Sequence, residues 1–553
     1  MRRLDTRIRT IFVVLAALFV FAGARAGYLG TVRADALGTE ASSQQAITSK
    51  VPAPRGDITD RNGTELAVSE AAVDVVANPM IIKSPADLAA KLAPLLGSQP
   101  EELLPKLSDR SRGFVYIARR MPAEVGDRIK AMHQTGLSLE QTMRRSYPRG
   151  QQAGQLLGFV GNEGKGLSGL EYAWNSELQG TDGQRTTVSD ALGRPINVAD
   201  NSMVQKGRDI RLTIDAPLQD EVERVLEGVG RVYQPKGATA VAVDPRTGDI
   251  LALANWPAVN ANDVGSASAY AQLNRASGFT YEPGSTFKSF TISGALQDRV
   301  VTPDTQFDLP VELQVGDKTI HDAEDRGPET LPVKEILSKS SNVGAAKIGM
   351  RTGAKRFDHW VREFGFGSPT GSGLPGEEAG IVLTPEHYSD ATLGNMAMGQ
   401  GLAVTPLQMI QAYGAIANGG ILKPPRLVSE VGGKQLDNSG GHRVISPQTA
   451  ASVREMLKGV LGEGGTASSA AIPGFDLAGK TGTAQKVDPQ TGTYSDSKYI
   501  ASFIGFAPAS KPKLLVAVVV DEPTGEIYGG QVAAPAFSRI MAWALPYLGI
   551  NPQ

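Results

Sequence analysis

The sequence contains no cysteine and only five histidines among its 553 residues. Without cysteine the chain can have no disulfide, no thiolate zinc site and no cysteine nucleophile. This composition is compatible with an extracytoplasmic location. The histidines show none of the spacings typical of metal ligands, so we expect neither a metal nor another cofactor. They also offer no obvious general base for a Ser-His-Asp site. Chemistry at a serine would need a base of another kind.

The chain also lacks an excess of charge of either sign. Its 55 lysines and arginines balance 57 acidic residues, which gives a formal net charge of -2. Because nucleic-acid binding depends on many basic side chains, we expect no nucleic-acid partner. The length is sufficient for a large enzyme domain and at least one other domain.

Long apolar runs are scarce, and the notable one lies near the N-terminus. Four arginines in the first ten residues precede an apolar run over 11–24. This order predicts a cytoplasmic N-terminus and an exported remainder. The run is shorter than the ~20 residues of a membrane-spanning helix, and the Ala-Arg-Ala sequence at 24–26 resembles a signal-peptidase site. We favour a cytoplasmic tail over 1–10 and a retained anchor over 11–30, with a cleaved signal as the alternative.

One short pattern, Ser-x-x-Lys, suggests what the missing base is. In a helix, residues three positions apart lie on one face, so the serine and the lysine would be within hydrogen-bond reach. The lysine amine could then act as the base for the serine hydroxyl. The three matches are Ser285 with Lys288, Ser495 with Lys498, and Ser510 with Lys513.

Only the first match has the context of a helix. Ser285 follows a Pro-Gly break and opens a helical run over 285–297, in which Phe287, Phe290 and Ile292 provide apolar anchors. Its hydroxyl would lie at the positive end of that helix. The other two serines lie in a polar loop and in a proline-flanked turn, where no helix aligns the lysine.

Two further motifs each occur once and follow Ser285 along the chain. They are Ser-Ser-Asn at 340–342 and Lys-Thr-Gly-Thr at 480–483. Alone, Ser-Ser-Asn is a helix-cap signal, and any single short motif is usually an ordinary surface sequence. The three motifs in this order indicate a serine acyl-transfer site.

The second half of the chain predicts an α+β domain. Apolar segments over 238–243 and 250–254 form one hairpin, and those over 499–506 and 514–520 form another. Helical segments lie between them, such as 406–417 and 331–350, the latter with a turn at the Ser-Ser-Asn motif. Strands from both ends with helices between them favour one antiparallel sheet flanked by helices. The Lys-Thr-Gly-Thr motif precedes the last hairpin, so we expect it on an edge strand, where an extended peptide can pair.

The first half predicts a separate, non-catalytic module over 31–215. It combines helical signals over 85–135 with a tight Asp-Arg-Asn-Gly turn at 60–63 and an alternating strand over 209–214. A helix is expected to begin near Asp215, which places the catalytic domain over 216–553.

With these motifs the chain resembles the class B penicillin-binding proteins. The segment Arg-Gly-x-Ile-x-Asp-Arg-x-Gly at 55–63 and Gly-Leu-Glu-Tyr at 169–172 are similar to the signature of that family's N-terminal pedestal. The resemblance implies a penicillin-binding transpeptidase domain, a dimerisation-like pedestal and a membrane anchor. Residues 399–408 resemble both the division and the elongation branches, whereas 528–537 resemble the division-specific enzyme. No segment resembles a glycosyltransferase motif, so the resemblance implies that another protein polymerises the glycan.

The resemblance also assigns the catalytic residues. It implies that Ser285 attacks the D-Ala-D-Ala bond of a peptidoglycan stem peptide, with Lys288 as its general base. Ser340 and Asn342 would relay protons and bind the substrate amide, and Lys480 would bind the substrate carboxylate. An amine would then capture the acyl-enzyme.

The same resemblance assigns substrate binding and partners. Thr481, Gly482 and Thr483 would bind substrate along the strand edge, and the backbone amides of Ser285 and Thr483 would form the oxyanion hole. β-Lactams are implied as covalent inhibitors. A membrane-embedded peptidoglycan polymerase and other division proteins are implied as partners, at the division site of the cell membrane.

Four alternative functions stay open at the level of sequence. An elongation-specific transpeptidase and a D,D-carboxypeptidase would use the same motifs. A serine β-lactamase needs a group that activates water, and no glutamate can be assigned to that role, nor would a pedestal serve it. A non-enzymatic β-lactam sensor would be expected to carry several membrane helices and a signalling module.

Overall fold

A computed structural model describes residues 2–35, 46–189, 195–324, 326–488 and 490–552. The chain forms two compact units, each made of three separate segments. The domain boundaries predicted at 30/31 and 215/216 do not coincide with the ends of these segments and stay predictions. The smaller unit comprises Met1–Pro54, Glu70–Arg144 and Gly180–Gly207, and the larger unit comprises Arg55–Ser69, Arg145–Gln179 and Arg208–Gln553.

The strands are numbered in chain order. They are β1 (Ala46–Val51), β2 (Ile58–Thr59), β3 (Glu65–Ala77), β4 (Val115–Pro122), β5 (Leu137–Ser146), β6 (Gly183–Ser189), β7 (Pro195–Ser202), β8 (Ile210–Leu212), β9 (Gly237–Asp244), β10 (Asp249–Trp256), β11 (Gln306–Leu309), β12 (Glu312–Val315), β13 (Lys318–His321), β14 (Glu329–Pro332), β15 (Ile421–Leu422), β16 (Val428–Val431), β17 (Lys434–Gln435), β18 (His442–Arg443), β19 (Ala478–Val487), β20 (Tyr494–Ala507) and β21 (Leu514–Asp521).

The helices are named by their bounds. The α-helices are Arg2–Thr31, Pro85–Leu96, Pro100–Ser108, Ala123–Ala131, Gly154–Leu157, Gly169–Ala173, Asn175–Leu178, Ala216–Tyr233, Ala269–Gln272, Arg275–Gly278, Lys288–Gln297, Val333–Ser338, Asn342–Thr352, Ala354–Glu363, Asp390–Ala397, Pro406–Ala417, Pro447–Lys458 and Gly529–Tyr547. Short 3₁₀ helices span Val264–Ser266, Gly284–Phe287, Pro385–His387 and Ser468–Ala470.

The smaller unit begins with a long exposed helix. It spans Arg2–Thr31, and its segment Asp5–Thr31 is long and apolar enough to cross a membrane. At 1.5 Å per residue, the 30 residues extend about 45 Å. The apolar run over 11–24 is therefore the centre of a longer helix, so its shortness does not exclude a membrane-spanning segment.

The rest of the smaller unit combines strands and short helices, as its sequence predicts. Strands β1, β6 and β7 form an antiparallel three-stranded sheet. The helices Pro85–Leu96 and Ala123–Ala131 confirm the helical signals in this stretch of sequence. Both helices contribute to one buried cluster, which includes Val75, Leu92 and Ile129.

A five-stranded antiparallel sheet forms the centre of the larger unit. Its order is β10-β9-β21-β20-β19, so both predicted hairpins are present and β19 is an edge strand, as expected. Along β21, Leu515, Ala517 and Val519 face one apolar cluster, whereas Val516 and Val518 face another. Because successive side chains point to opposite faces, such a strand needs apolar cover on both sides.

Helices provide that cover on the two faces of the sheet. Ala216–Tyr233 and Gly529–Tyr547 contribute the apolar cluster on one face. Lys288–Gln297 and Pro406–Ala417 contribute the cluster on the other face. The predicted α+β fold, an antiparallel sheet flanked by helices, is confirmed.

Two local predictions differ from the structure. The helical segment expected over 331–350 is two helices, Val333–Ser338 and Asn342–Thr352, with the expected turn between them, but Leu331 belongs to β14 instead of a helix. Between the helices, Ser340 has a φ of 62°, a left-handed conformation that few serines adopt. Ser495, expected in a loop, lies in β20.

The two signature segments of the first half meet around a buried carboxylate. Glu171 is fully buried and forms ion pairs with Nε of Arg55 and Nε of Arg145, each 2.6 Å away. In the turn at 60–63, Asp60 Oδ1 accepts the backbone N–H of Asn62 at 2.8 Å, and the glycine has the positive φ that was expected. Arg55, one of the two arginines of the signature segment at 55–63, therefore belongs to a buried ion-pair network with Glu171 and Arg145.

Candidate active site

The Ser285 segment forms a helix, as predicted, but it starts as a tighter turn. A 3₁₀ turn over Gly284–Phe287 leads into the α-helix Lys288–Gln297, and Ser285 remains partly exposed. The buried Tyr413 supports the turn because its hydroxyl donates to the carbonyl of Thr286 at 2.7 Å. Phe287 and Phe290 are buried in the aromatic cluster beneath the turn, which confirms them as apolar anchors.

The edge strand β19 lies directly against this turn. A Cβ added to Gly482 would clash with the hydroxyl of Ser502 and would lie 2.9 Å from the carbonyl oxygen of Pro283. A Cβ on Gly284 would lie 3.0 Å from the carbonyl oxygen of Thr483. Only glycine permits so close an approach, so the turn that carries the serine and the strand edge are in backbone contact.

Lys288 is fully buried, and its Nζ makes three hydrogen bonds within the described residues. It donates to the carbonyl oxygen of Ser340 at 2.6 Å, to Oδ1 of Asn342 at 2.7 Å and to Oγ of Ser340 at 3.3 Å. The hydrogen bond expected between Lys288 and Ser285 is not among them. Because active-site hydrogen bonds often tighten only when substrate binds, this arrangement leaves the base role open.

Lys480 approaches the same serine from the edge strand. It is also fully buried, and its Nζ donates to Oγ of Ser340 at 2.9 Å and to the carbonyl oxygen of Thr481 at 3.2 Å. The Ser340 hydroxyl therefore stands between two lysines. The three sequence motifs therefore meet at this one oxygen atom, although Ser340 and Lys480 are 140 residues apart in the sequence.

Burial controls the protonation of both lysines. Removal from water lowers the pKa of Lys288 to about 7, an effect that the Asp322 carboxylate opposes and the Arg326 guanidinium strengthens. Burial and then the charge of Lys288 lower the pKa of Lys480 well below its usual value. Two ammonium groups on one acceptor repel each other, so the pair readily gives up a proton. Above a pH of about 7 Lys288 is therefore mostly neutral, which is the protonation state that a general base requires.

Asp322 holds the segment that follows Ser340, and no sequence pattern marks this residue. Its Oδ1 accepts the backbone N–H groups of Asn342 at 2.5 Å and of Val343 at 3.0 Å, and its Oδ2 accepts the Ser341 hydroxyl at 2.9 Å. Asn342 is thereby fixed at the start of its helix. Asp322 follows β13 in a polar segment without a motif, so only the fold brings it to the site.

Other side chains support the Lys-Thr-Gly-Thr strand. The hydroxyls of Thr466 and Thr481 are 2.7 Å apart, and the backbone N–H of Gly529 donates to Oγ1 of Thr483 at 3.0 Å. Thr466 was also missed from the sequence, since nothing in its glycine-rich surroundings marks it. Gly529, by contrast, is the second residue of the segment over 528–537 that resembles the division-specific enzyme.

The structure thus brings together residues of the three motifs, and the other two Ser-x-x-Lys matches lie outside helices. Ser495 lies on a strand, and its Oγ accepts the backbone N–H of Lys498 at 3.2 Å. Ser510 lies in a bend between β20 and β21. Neither serine has a helix that aligns its lysine.

Comparison with known proteins identifies the family. The model of the penicillin binding protein transpeptidase domain matches residues 238–542, and that of the penicillin-binding protein dimerisation domain matches residues 50–212. The chain belongs to the class B penicillin-binding proteins. The sequence-based resemblance is confirmed.

Relatives match this penicillin-binding protein over nearly its whole length. The probable peptidoglycan D,D-transpeptidase PenA of Neisseria gonorrhoeae is 35% identical over 552 residues, covering 99% of this chain and 93% of the relative. The peptidoglycan D,D-transpeptidase FtsI of Escherichia coli is 33% identical over 547 residues, covering 98% and 91%. The crystal structure of penicillin binding protein 3 from Mycobacterium tuberculosis, complexed with aztreonam, superposes with a TM-score of 0.72 at 29% identity, covering 91% and 98%.

Proposed function

We propose that this protein is a serine D,D-transpeptidase that cross-links peptidoglycan stem peptides from an anchor in the cell membrane. The observation that carries the proposal is the constellation around Ser340, where two buried lysines share one hydroxyl beside the Ser285 turn. The names of relatives from Neisseria gonorrhoeae and Escherichia coli support the same activity.

Acylation begins with the neutral amine of Lys288. It takes the proton of Ser285 as Oγ attacks the carbonyl carbon of the penultimate D-alanine, and the resulting oxyanion is held by the backbone N–H groups of Ser285 and Thr483. Collapse of the intermediate breaks the peptide bond. The leaving D-alanine takes a proton through the Ser340 hydroxyl, which both lysines contact. The product is an ester of Ser285.

The substrate itself favours this protonation pattern. Its terminal carboxylate binds Lys480 with the hydroxyls of Thr481 and Thr483. A carboxylate at that position raises the pKa of Lys480, so the shared proton resides there and Lys288 stays neutral. The rest of the stem peptide pairs with the edge of β19, where Gly482 allows close approach.

Deacylation distinguishes the proposed function from its alternatives. In transpeptidation the amine of a second stem peptide attacks the ester and forms the cross-link, whereas a carboxypeptidase or a β-lactamase uses water. The dimerisation domain and the single candidate membrane helix within the described residues favour a tethered transpeptidase over a β-lactamase or a multi-helix sensor.

The cellular role follows from weaker signals. The segment over 528–537 supports a function in division, with another protein as the glycan polymerase. The helix Asp5–Thr31 supports a single-pass topology with the catalytic unit outside the cytoplasm. Localisation of a fluorescent fusion to the septum is the expected outcome, and an even distribution along the side wall would favour the elongation branch.

The decisive experiment is covalent labelling with fluorescent penicillin. We expect the wild-type protein to be labelled and Ser285→Ala to lose all labelling while it unfolds at the same temperature, because a partly exposed hydroxyl contributes little to packing. Ser495→Ala is the matched control and should label normally. Labelling that survives in Ser285→Ala would place the nucleophile elsewhere.

A second measurement separates the acyl acceptors. Purified protein is supplied with a stem pentapeptide and a diamino acceptor peptide, and the products are resolved by mass. We expect a cross-linked dimer and one released D-alanine per dimer. Free tetrapeptide without dimer would indicate a carboxypeptidase, and rapid multiple turnover of a chromogenic cephalosporin would indicate a β-lactamase.

A further inference from the structure

The turn that carries Ser340 is conformationally costly and must be held in place. Its φ of 62° is left-handed, a conformation that is unfavourable for residues other than glycine. This turn presents both the carbonyl oxygen and the hydroxyl of Ser340 to Lys288. A relaxed turn would withdraw both acceptors from the amine.

Asp322 holds the turn on its C-terminal side. Its carboxylate accepts the N–H groups of Asn342 and Val343 and the hydroxyl of Ser341. Three donors on one carboxylate fix the start of the helix Asn342–Thr352 and leave the turn little freedom.

Arg326 holds the same turn on its N-terminal side. Its Nη2 donates to the carbonyl oxygen of Lys339 at 2.8 Å, one residue before Ser340, and its side chain is largely buried. The same nitrogen also donates to Glu324 at 3.2 Å. Asp322 and Arg326, which both lie between β13 and β14, thus hold the two ends of the Ser340 turn. Asp322 binds the C-terminal side with a negative charge, and Arg326 binds the N-terminal side with a positive charge.

We propose that Asp322 and Arg326 are positioning residues for acyl transfer, a clamp that imposes the Ser340 turn and thereby aims the amine of Lys288. The role of this clamp in the reaction rests on the proposed function. Neither residue belongs to the three motifs, and neither contacts Ser285 in the described structure. The clamp acts on the reaction through the turn and through its charges.

The opposite charges give the clamp a property that a merely structural pair would not have. The charges of Asp322 and Arg326 act on the pKa of Lys288 in opposite directions, and Lys480 shares the Ser340 hydroxyl with Lys288. A carboxylate stabilises the ammonium form, and a guanidinium destabilises it. Neutralising one partner of the clamp must therefore move the pKa of Lys288 down, and neutralising the other must move it up.

The test uses near-isosteric neutral variants of the full chain. Asp322→Asn and Arg326→Gln each retain a polar side chain, whereas Asp322→Ala removes all three hydrogen bonds. Asp317→Asn is the matched control, because Asp317 is an exposed acid in the turn between β12 and β13. Protein labelled with [ε-13C]lysine is titrated by 13C NMR, which reports Lys288 without turnover, and acylation by fluorescent penicillin is measured in parallel from pH 5 to 9.

We expect Asp322→Asn to titrate Lys288 at lower pH than the wild type, Arg326→Gln at higher pH, and Asp317→Asn at the wild-type pH. In Asp322→Ala acylation should slow about 100-fold, the cost of misplacing a reacting group by about 1 Å. Unchanged titration in both neutral variants, a shift of both in one direction, or wild-type acylation by Asp322→Ala would each overturn the clamp.

The two proposals fail in different ways. If wild-type protein is not labelled by penicillin, the proposed function fails, and the 13C titrations still decide whether the clamp sets the charge of Lys288. If wild-type labelling is normal but Lys288 titrates at the same pH in Asp322→Asn, Arg326→Gln and the wild type, only the clamp is rejected.

Discussion

At the scale of single residues, the pair of buried lysines determines how the site responds to pH. Lys288 must be neutral to act as a base, and its pKa is lowered to about 7. We therefore expect slow acylation below pH 7, where the amine of Lys288 is protonated. The rate should rise as the pH increases through about 7 and the amine loses its proton. Penicillin acylation measured from pH 5 to 9 checks this profile, with circular dichroism showing that the protein stays folded. A flat profile would contradict the role of Lys288.

The buried carboxylate of Glu171 gives a second prediction at this scale. Glu171→Gln leaves the buried guanidinium groups of Arg55 and Arg145 without their counter-charge, and we expect a loss of about 3 kcal/mol in the free energy of unfolding. Urea unfolding measures this loss. The control is Glu177→Gln, which breaks an exposed ion pair with Arg208 and should cost less than about 1 kcal/mol. Similar losses in the two variants would reject this account of the network.

The residues that sequence alone could identify are those inside short, ordered motifs. Ser285 and Lys288 could be found because a helix relates them locally. Asp322 and Arg326 could not, because their effect depends on a contact with a turn that the fold brings to them. Charge and hydrogen bonding across sequence-distant segments leave no periodic signal.

At the scale of elements, the close contact between β19 and the serine turn depends on Gly482. A methyl group there would meet Ser502 and Pro283, so Gly482→Ala should cost about 1–3 kcal/mol of unfolding free energy and slow acylation. Gly228→Ala is the control, because that helical glycine has open space and alanine should stabilise the helix by about 0.5–1 kcal/mol. Thermal unfolding and penicillin labelling measure both effects. Normal stability and labelling in Gly482→Ala would show that the contact is not required.

Hairpins and amphipathic helices could be predicted well from the sequence. Within 331–350 the sequence indicated a turn at the Ser-Ser-Asn motif, but it did not indicate the left-handed backbone of Ser340. The strands of the central sheet carry continuous apolar runs bounded by turn residues, and these patterns are local. The left-handed Ser340 is not local, since serine has no intrinsic preference for it. The surrounding hydrogen bonds impose that conformation.

At the scale of the whole molecule, the N-terminal helix can be separated from the chemistry. Every residue of the candidate site belongs to the larger unit, and the helix Arg2–Thr31 belongs to the smaller one. A chain that begins at residue 46 should therefore remain in the aqueous fraction and still be labelled by penicillin. The full chain should partition into lipid vesicles. Vesicle flotation with in-gel fluorescence measures both properties, and a shortened chain that floats with the vesicles would contradict the anchor.

The two-domain plan followed from the sequence, but the way the segments are shared between units did not. The segments over 55–69 and 145–179 precede the predicted catalytic domain in sequence, yet they belong to the larger unit. Composition and periodicity divide a chain into consecutive stretches. They carry no information about segments that leave one unit and return to it.

The position of β19 at the edge of the central sheet exposes the protein to a particular hazard. A strand with an unpaired edge is a template for other chains, and most proteins cover such edges or shorten them. Under the proposed function this edge has to stay open, because a peptide substrate that pairs with it needs the same backbone groups that an aggregating chain would use. We therefore expect that a β-lactam bound at Ser285 would slow self-association of the protein on heating, and that evolution can protect this edge only by means that leave it open to a peptide.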